Sequence, residues 1–326
     1  MSPRARPGPE RAAAVPDPVR LVDSHGHVQA HPFAADIAGV LAAAALAGVE
    51  RLLVPGWDLE SSRAAVALAC GSPDARPRSA DAGGSPSVAP SAAPDGGSEP
   101  IPLGLDVAVG IHPHVASTVD DAMWSEVRAL AGDPSVVAIG ETGLDYDRAF
   151  SPRDAQLANL RRHLALGRAM GKPVILHCRS AAGRRDAQDE LLAELRDAGV
   201  GDPSWTAALE GRPPAILHSF SGPVDYAEAA LQLGLAISFS GLVFRRGEEA
   251  SALVARIVPA DRLLVETDSP YLPPPGAPRR RNEPAWVRVT AAWVAERRGD
   301  GAALLGEELV GAYDAVFRGR TGGMPR

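Results

Sequence analysis

Eight short apolar runs, rich in β-branched residues, alternate along this chain with longer segments whose apolar residues recur at helical spacing. The runs are RLVDSHGH, RLLVPG, LDVAVGIHPH, VVAIGETG, PVILHCR, PAILHSF, LAISFSG and RLLVETDSP. A closed parallel barrel buries its strands on both faces and needs a helix in each crossover, so it produces this alternation. The pattern therefore predicts an α/β fold, either a TIM-type (β/α)8 barrel or an open, doubly wound sheet.

Polar residues at the ends of the runs favour the barrel. Nearly every run ends in a side chain that can bind metal or form a hydrogen bond: His25 and His27, His112, Glu141, His177, His218, Ser240 and Asp268. An open sheet gathers its ligands at one switch point, whereas a barrel brings all eight strand ends to one rim. Their distribution over the whole chain is therefore typical of a barrel.

Composition predicts one domain, preceded and interrupted by segments whose apolar residues show neither helix nor strand spacing. Residues 1–18 are predicted to form a disordered leader, and 19–326 a single barrel domain. Residues 71–100 combine Pro, Gly, Ser, Ala and charged residues, which predicts a flexible surface insertion, and residues 201–214 have the same character. Helices are predicted near residues 33–47, 59–69, 120–131, 153–170, 184–198, 223–233 and 247–257, with two more after residue 284.

The cysteines and the apolar stretches bear on location. Cys70 and Cys178, the only two cysteines, lie far apart, which excludes a disulfide framework or a zinc ribbon and fits a reducing compartment. The longest apolar stretch is far shorter than the roughly 20 residues of a membrane span, and the leader lacks the apolar run of a signal peptide. We therefore expect a cytoplasmic protein without a membrane partner.

The net charge of -7 neither supports nor excludes a nucleic-acid substrate. A metal-dependent phosphodiesterase can attract phosphate with its ions and a few arginines. Arg245 and Arg246, and the run from Arg279 to Arg281, could supply these, although a solvated surface is the alternative interpretation of each cluster.

Histidine and carboxylate together are the ligand set of Zn, Mn and similar divalent ions. Residues two apart in a strand face the same side, so Asp23, His25 and His27 should point the same way, as should Glu266 with Asp268 and His177 with Arg179. The candidate ligands are His25, His27, Glu141, His177, His218 and Asp268. Six ligands exceed what one ion usually takes from a protein, which indicates two ions bridged by a carboxylate and a water.

Glu141 is the preferred bridge. A carbamylated lysine is another group that could bridge two ions. Lys172, the only lysine, precedes its strand and so lies at the wrong end of the barrel for that role. We interpret Asp23 as orienting a ligand histidine, with capping of the strand end as the alternative. Cys178 should face away from His177 and pack in the core, and His31 and His163 are expected at the surface.

The chain resembles the TatD family of metal-dependent hydrolases, which belong with the amidohydrolase-like barrels. The motifs that carry the resemblance are DSHGH at 23–27, GIHPH at 110–114, GETGLDY at 140–146, PVILHCR at 173–179, LHSFSG at 217–222, ETDSPYL at 266–272 and RNEPAWV at 281–287. The leader and the segments at 71–100 and near 205 depart from the family pattern.

The resemblance implies a TIM-type barrel that acts as a metal-dependent 3'-to-5' nuclease on DNA, with RNA as a further substrate. It places one ion on His25, His27 and Asp268, a second on His177 and His218, and Glu141 between them. His112 and Arg179 are expected to contact the substrate.

Such a centre of two divalent ions (Mg, Mn or Zn) would supply hydroxide at neutral pH for attack on phosphorus. Asp268 is placed to accept the proton of the attacking water, and His112 or Arg179 could stabilise charge on the phosphate. The catalytic residues would thus be Asp268 and Glu141.

Other functions fit the same residues. A binuclear centre also polarises a carbonyl group, so hydrolysis of a small ester, lactone or amide, or deacylation of aminoacyl-tRNA, stays open. A binding protein that keeps the metal for structure is a further alternative.

Overall fold

The computed structural model describes residues 19–71 and 103–319. The predicted leader at 1–18 and nearly all of the insertion at 71–100 lie outside the described residues. Eight parallel strands form one sheet in chain order. They are β1 (Leu21–Asp23), β2 (Val49–Pro55), β3 (Gly104–Val109), β4 (Val136–Asp145), β5 (Val174–Arg179), β6 (Ala215–Leu217), β7 (Ala236–Phe239) and β8 (Leu263–Val265).

The last strand returns to the first. The backbone N–H of Ser24 donates to the carbonyl of Val265 at 3.0 Å, and Gly26 forms a parallel bridge with Ser269 just beyond the two strand ends. These contacts join β8 to β1 and complete the ring. The prediction of a TIM-type barrel is confirmed, and the open sheet is excluded.

Helices lie between the strands, as the spacing of apolar residues predicts. They are α1 (Ile37–Leu46), α2 (Leu59–Ala69), α3 (Asp121–Leu130), α4 (Arg153–Met170), α5 (Asp186–Asp197), α6 (Pro203–Ala208), α7 (Val224–Gln232), α8 (Ser251–Ile257), α9 (Val287–Arg298) and α10 (Ala302–Phe317). None of the helices in residues 19–71 and 103–319 is long and apolar enough to cross a membrane.

Local sequence sets where helices begin and end. α2 begins with a capping box, in which the Asp58 carboxylate accepts from the Ser61 backbone N–H at 2.7 Å and the Ser61 hydroxyl accepts from the Asp58 backbone N–H at 2.9 Å. α4 ends at Gly171, whose φ of +62° is the left-handed conformation that glycine adopts without steric cost. In β2, consecutive Leu52, Leu53 and Val54 are all fully buried, as expected of a strand covered on both faces.

Residues 201–214 contain a helix, so the prediction of a second flexible insertion was wrong. α6 buries the side chain of Trp205, which is 1% exposed and donates its indole N–H to the carbonyl of Ala198 at 3.0 Å. A single large apolar side chain anchors a segment whose average composition is that of a loop.

His163 is fully buried, so its expected place at the surface was also wrong. Its Nδ1–H donates to the Asn159 carbonyl at 2.7 Å, and its Nε2 accepts from the Ile111 backbone N–H at 3.0 Å. Helical spacing places it on the same face as the buried residues Leu160 and Leu164. His31, by contrast, is exposed as expected.

Burial lowers the pKa of His163 from 6.5 to about 4. Between these two pKa values the unfolded chain therefore binds more protons than the folded chain. The contribution of neutral His163 to the free energy of unfolding is complete above about pH 6.5 and is lost as the pH falls toward 4. We expect His163→Gln to be less stable than wild type at pH 7. The difference should narrow by about 3 kcal/mol at pH 4, since one pKa unit corresponds to about 1.4 kcal/mol.

Urea unfolding of both proteins between pH 4 and pH 7 measures this difference. His31→Gln, at an exposed position, controls for loss of an imidazole. A stability gap between wild type and His163→Gln that stays constant over the range would contradict the prediction.

Candidate metal centre

The six predicted ligands converge at the mouth of the barrel, where the carboxyl ends of the strands meet. They come from five different strands or the residues directly after them: His25 and His27 after β1, Glu141 in β4, His177 in β5, His218 after β6 and Asp268 after β8. All are buried except His177 and Asp268, which are partly exposed. The closed barrel thus brings together residues up to 243 positions apart, the span from His25 to Asp268.

Glu141 lies between two pairs of imidazoles. Its Oε2 is 3.4 Å from Nε2 of His25 and 3.7 Å from Nε2 of His27. Its Oε1 is 2.9 Å from Nε2 of His218 and 3.1 Å from Nδ1 of His177. Each oxygen of one carboxylate therefore faces its own set of nitrogens, the arrangement that a carboxylate needs to bridge two cations.

The donor atoms around Oε2 have the spacing of a coordination sphere. Nε2 of His25 and Nε2 of His27 are 3.2 Å apart, and Oδ1 of Asp268 is 3.5 Å from the second of these and 4.0 Å from the first. Nitrogen and oxygen ligands at zinc-like distances in a tetrahedron lie about 3.4 Å from each other. The residues present therefore fit a divalent cation.

Hydrogen bonds at the far side of three rings orient them for this role. Nδ1–H of His27 donates to the Pro55 carbonyl at 3.1 Å. Nδ1–H of His218 donates to Oε1 of Glu266 at 3.1 Å, and Nε2–H of His177 donates to Oδ2 of Asp145 at 3.2 Å. Each ring is fixed with its other nitrogen toward the centre, as is common for metal-binding histidines.

Asp145 and Glu266 are supporting carboxylates that the sequence reasoning did not select for the site. Asp145 also accepts from Nε2–H of His114 at 2.7 Å, and Glu266 accepts from the Ser238 hydroxyl at 2.6 Å. Strand alternation could have indicated Asp145, which lies four residues after Glu141 on the same face of β4.

Gly143 lets β4 and β5 approach closely enough for these contacts. A Cβ at this position would lie 1.9 Å from the backbone oxygen of His177, and the φ of +137° is one that other residues rarely adopt. Glu141 and Asp145, on either side of the glycine, can therefore both reach the His177 ring.

His112 contacts the centre as a hydrogen-bond donor. Its Nδ1 accepts from the His114 backbone N–H at 3.1 Å, which places the proton of the neutral ring on Nε2. That nitrogen is 3.3 Å from Oε1 of Glu141. Burial lowers the pKa of His112 to about 4, so the ring is neutral at physiological pH and offers an N–H rather than a lone pair.

Glu141 and Asp268 keep a negative charge in spite of their burial. Burial opposes the negative charge on Glu141, but His218 and His112 hold its pKa well below the usual range. Burial likewise opposes ionisation of Asp268, where a hydrogen bond with His27 and the charges of nearby histidines lower the pKa. Neighbouring positive charge thus stabilises both carboxylates, and a bound cation would supply that charge in place of the protons on the histidines.

The charges of the buried carboxylates also change the pKa of His218. Burial lowers the pKa of His218, but Glu141 and Glu266 outweigh it and raise the pKa well above the ordinary value. A cation that binds Nε2 of His218 must displace its proton, so the affinity for metal rises with pH.

Asp23 supports the backbone rather than a ring. Its Oδ1 accepts from the backbone N–H groups of Thr267 at 2.9 Å and His25 at 3.2 Å, and its Oδ2 accepts from the Thr267 hydroxyl at 2.6 Å. The carboxylate therefore ties the segment that carries His25 and His27 to the segment that carries Asp268.

Arg179 lies at the exposed end of β5 and forms an ion pair with Asp147 at 2.9 Å. Cys178 packs against the hydrophobic core, as expected from alternation. Lys172 donates to the carbonyl of Ala131 and lies before β5, at the opposite end of the barrel from the ligands.

The chain is similar to known nucleases in sequence and structure. The family model of TatD-related DNases matches residues 99–318. The 3'-5' ssDNA/RNA exonuclease TatD of Musicola paradisiaca is 38% identical over 282 residues, which cover 83% of this chain and 88% of the relative. The crystal structure of a TatD homologue from Escherichia coli K12 has a TM-score of 0.70 at 26% identity and covers 92% of this chain and 98% of its own. A TatD-family hydrolase from Entamoeba histolytica, at 18% identity and a TM-score of 0.73 over 92% and 98% of the two chains, supports the fold alone.

Glu266 orients His218, so its removal should weaken metal binding although it is not expected to touch the metal. We expect Glu266→Ala to lower the affinity for Mn²⁺ or Zn²⁺ by about 10- to 100-fold, the usual effect of losing such a partner. Calorimetric titration of metal-free protein measures it, with Glu228→Ala on the exposed side of α7 as control. Equal affinities of Glu266→Ala and wild type would show that the carboxylate has no such role.

Proposed function

We propose, because this chain belongs to the TatD-related DNase family, that it is a metal-dependent 3'-to-5' exonuclease that hydrolyses phosphodiester bonds of single-stranded DNA or RNA. One observation carries the proposal. The two oxygens of buried Glu141 face two different histidine pairs, one after β1 and one on β5 and β6.

In the proposed arrangement His25, His27 and Asp268 hold one divalent ion, His177 and His218 hold the second, and Glu141 bridges them, with Mg, Mn or Zn as the metal. The distances of 2.9 to 3.7 Å between Glu141 and the four imidazoles support it. Bound divalent ions would acidify water and stabilise charge on phosphate oxygens.

Asp268 is the proposed proton acceptor. Its side chain is 14% exposed, whereas those of Glu141, Glu266 and Asp145 are 4% exposed or less, so it is the carboxylate of the centre most open to an incoming water. Nearby histidines keep it ionised, as a general base requires.

His112 is the proposed donor to the substrate. Its side chain is 12% exposed, and Nε2–H points toward the centre. A fixed N–H in a buried site can stabilise charge on a phosphate oxygen without rearranging. Arg179, at the exposed end of β5, is proposed to contact the phosphate backbone farther from the centre, in exchange for its ion pair with Asp147.

Arginines at the mouth support a polyanionic substrate. They lie in the segments after β4, β7 and β8, are exposed, and form no ion pair with any carboxylate of residues 19–71 and 103–319: Arg148, Arg245, Arg246, Arg279 and Arg280. Arg281, by contrast, is paired with Asp36 and Glu283 and belongs to the structure of its loop.

Asp268→Asn should lower kcat on a single-stranded oligonucleotide by about 100-fold or more, because the amide cannot accept the proton and general bases contribute about that much. A 5'-labelled oligonucleotide with added Mg²⁺, Mn²⁺ or Zn²⁺ gives the rate and the direction of degradation. Circular dichroism checks the fold of the variant. Turnover near the wild-type value, or wild-type protein that hydrolyses esters or lactones but not the oligonucleotide, would refute the proposal.

Arg279→Ser with Arg280→Ser should weaken binding of single-stranded DNA and reduce its salt dependence. Each phosphate contact contributes about 0.7 to the slope of log affinity against log salt, so two lost contacts lower the slope by roughly 1.4. Fluorescence anisotropy over a range of salt concentrations measures it. Arg168→Ser with Arg196→Ser, at the exposed carboxyl-terminal ends of α4 and α5, is the matched control. The same slope in both double variants would exclude the phosphate contacts.

A further inference from the structure

Two aromatic side chains stand exposed at the mouth of the barrel. Phe150, in the segment after β4, is 66% exposed, and Tyr271, in the segment after β8, is 60% exposed. In a barrel whose strands follow chain order, β4 and β8 lie on opposite sides. The rings therefore flank the candidate metal centre from two sides.

Each ring lies beside a histidine at the mouth: Phe150 beside His114 and Tyr271 beside His27. The Phe150 ring centroid is 4.8 Å from that of His114, which is 4.2 Å from that of His112. The Tyr271 centroid is 6.2 Å from that of His27. The ring planes are inclined by 72° and 71° to these imidazoles, so each contact uses one part of the ring and most of the remaining surface is open to solvent.

This placement sets the two rings apart from other exposed apolar side chains. Among the described residues, the remaining large exposed hydrophobic side chains lie on helices of the outer layer: Leu46, Met170, Leu253, Ile257 and Leu304. Scattered exposed residues of that kind are ordinary on a protein surface. Aromatic rings beside a buried acidic centre are not explained by packing, since neither is covered.

We infer that Phe150 and Tyr271 are base-stacking residues, which hold the unpaired bases of a single strand on the two sides of the centre. The inference rests on the proposed function and names how that site recognises its substrate. Stacking suits an enzyme without sequence preference, because every base has a π-face.

Positive charge in the same two segments as the rings supports nucleic acid as the occupant. Arg148 lies two residues before Phe150, and Arg279 and Arg280 lie in the segment that follows Tyr271; all three are exposed and form no ion pair with carboxylates of the described residues. An aromatic surface beside free guanidinium groups matches alternating bases and phosphates. Paired bases present no free face, so the rings favour single strands over duplex.

Phe150→Ala and Tyr271→Ala test the inference. Each should raise KM for a single-stranded oligonucleotide by about fivefold or more and change kcat less than twofold, since loss of one stacked base lowers the affinity by at least about fivefold. On a strand of the same length made of abasic residues, the two variants and the wild type should have the same kcat/KM.

Two controls separate stacking from other effects. Tyr271→Phe, which keeps the ring and loses the hydroxyl, should retain the wild-type KM. Leu304→Ala removes an exposed apolar side chain from α10, far from the mouth in the fold, and should change nothing. Phe150→Leu replaces the alanine variant if that protein does not fold, with the same expected rise in KM.

The outcomes separate the inference from the proposed function. Wild-type KM in both alanine variants, or an equal loss on the abasic strand, would overturn the stacking role while leaving the nuclease intact. Binding of a labelled oligonucleotide, measured by fluorescence anisotropy, shows the role independently of cleavage. If both alanine variants bind the oligonucleotide more weakly than wild type, but wild type cleaves neither the oligonucleotide nor the abasic strand, the inference holds and the proposed nuclease function fails.

Discussion

The structure of the barrel mouth depends on one buried carboxylate. Glu141 is 3% exposed and ionised, and an isolated charge in such a place would cost far more than a single domain can tolerate. Imidazoles reach it from the ends of β1, β3, β5 and β6. The ionised Glu141 side chain is therefore stable in this position only when the barrel is closed and these strand ends lie together. Either protonated histidines or bound cations then balance its charge.

The contacts that close the barrel also shape the centre. Asp23 accepts from backbone and side chain of Thr267 and from the backbone of His25, which joins the end of β1 to that of β8. The backbone N–H of Asp268 in turn donates to the His25 carbonyl at 2.8 Å. Candidate ligands that follow the first and the last strand are thus held in register by the same hydrogen bonds that complete the ring.

Strand alternation indicated which residues could gather at one end of the barrel, but the backbone that places several of them is not regularly extended. Glu141 lies inside β4, but the pairing of β4 with β5 shifts register between Ile139 and Thr142, and Gly140 has a φ of +132°, so alternation alone does not fix where its side chain lies. β8 ends at Val265, and Asp268 has a φ of +53°, so its approach to His27 is set by a turn that no two-residue period describes. The supporting role of Glu266 depends on its distance from the His218 ring, which is 48 positions away in the sequence. A pattern of residue types along one strand gives no information about that distance.

The two errors about burial have the same origin. His163 has a polar ring, and Trp205 is a single large aromatic residue in a segment whose average composition is that of a loop. Each ring can be buried because its nitrogen atoms form hydrogen bonds with specific backbone groups. Composition averages over neighbours, whereas burial of a polar ring is decided by one or two hydrogen bonds. The surrounding fold supplies those partners.

Charge in this protein is organised by depth. The chain carries a net charge of -7, yet Glu141, Asp145 and Glu266 are buried at the centre, while arginines that form no ion pair within the described residues are exposed in the segments around it. Arg179, at the exposed end of β5, forms an ion pair with Asp147. Within the described residues, Glu141 forms ion pairs only with histidines, so no guanidinium group occupies the position proposed for a cation. A polyanion at the mouth would meet exposed guanidinium groups around the centre and cation-binding chemistry within it, so the net charge of the whole chain says little about what the mouth binds.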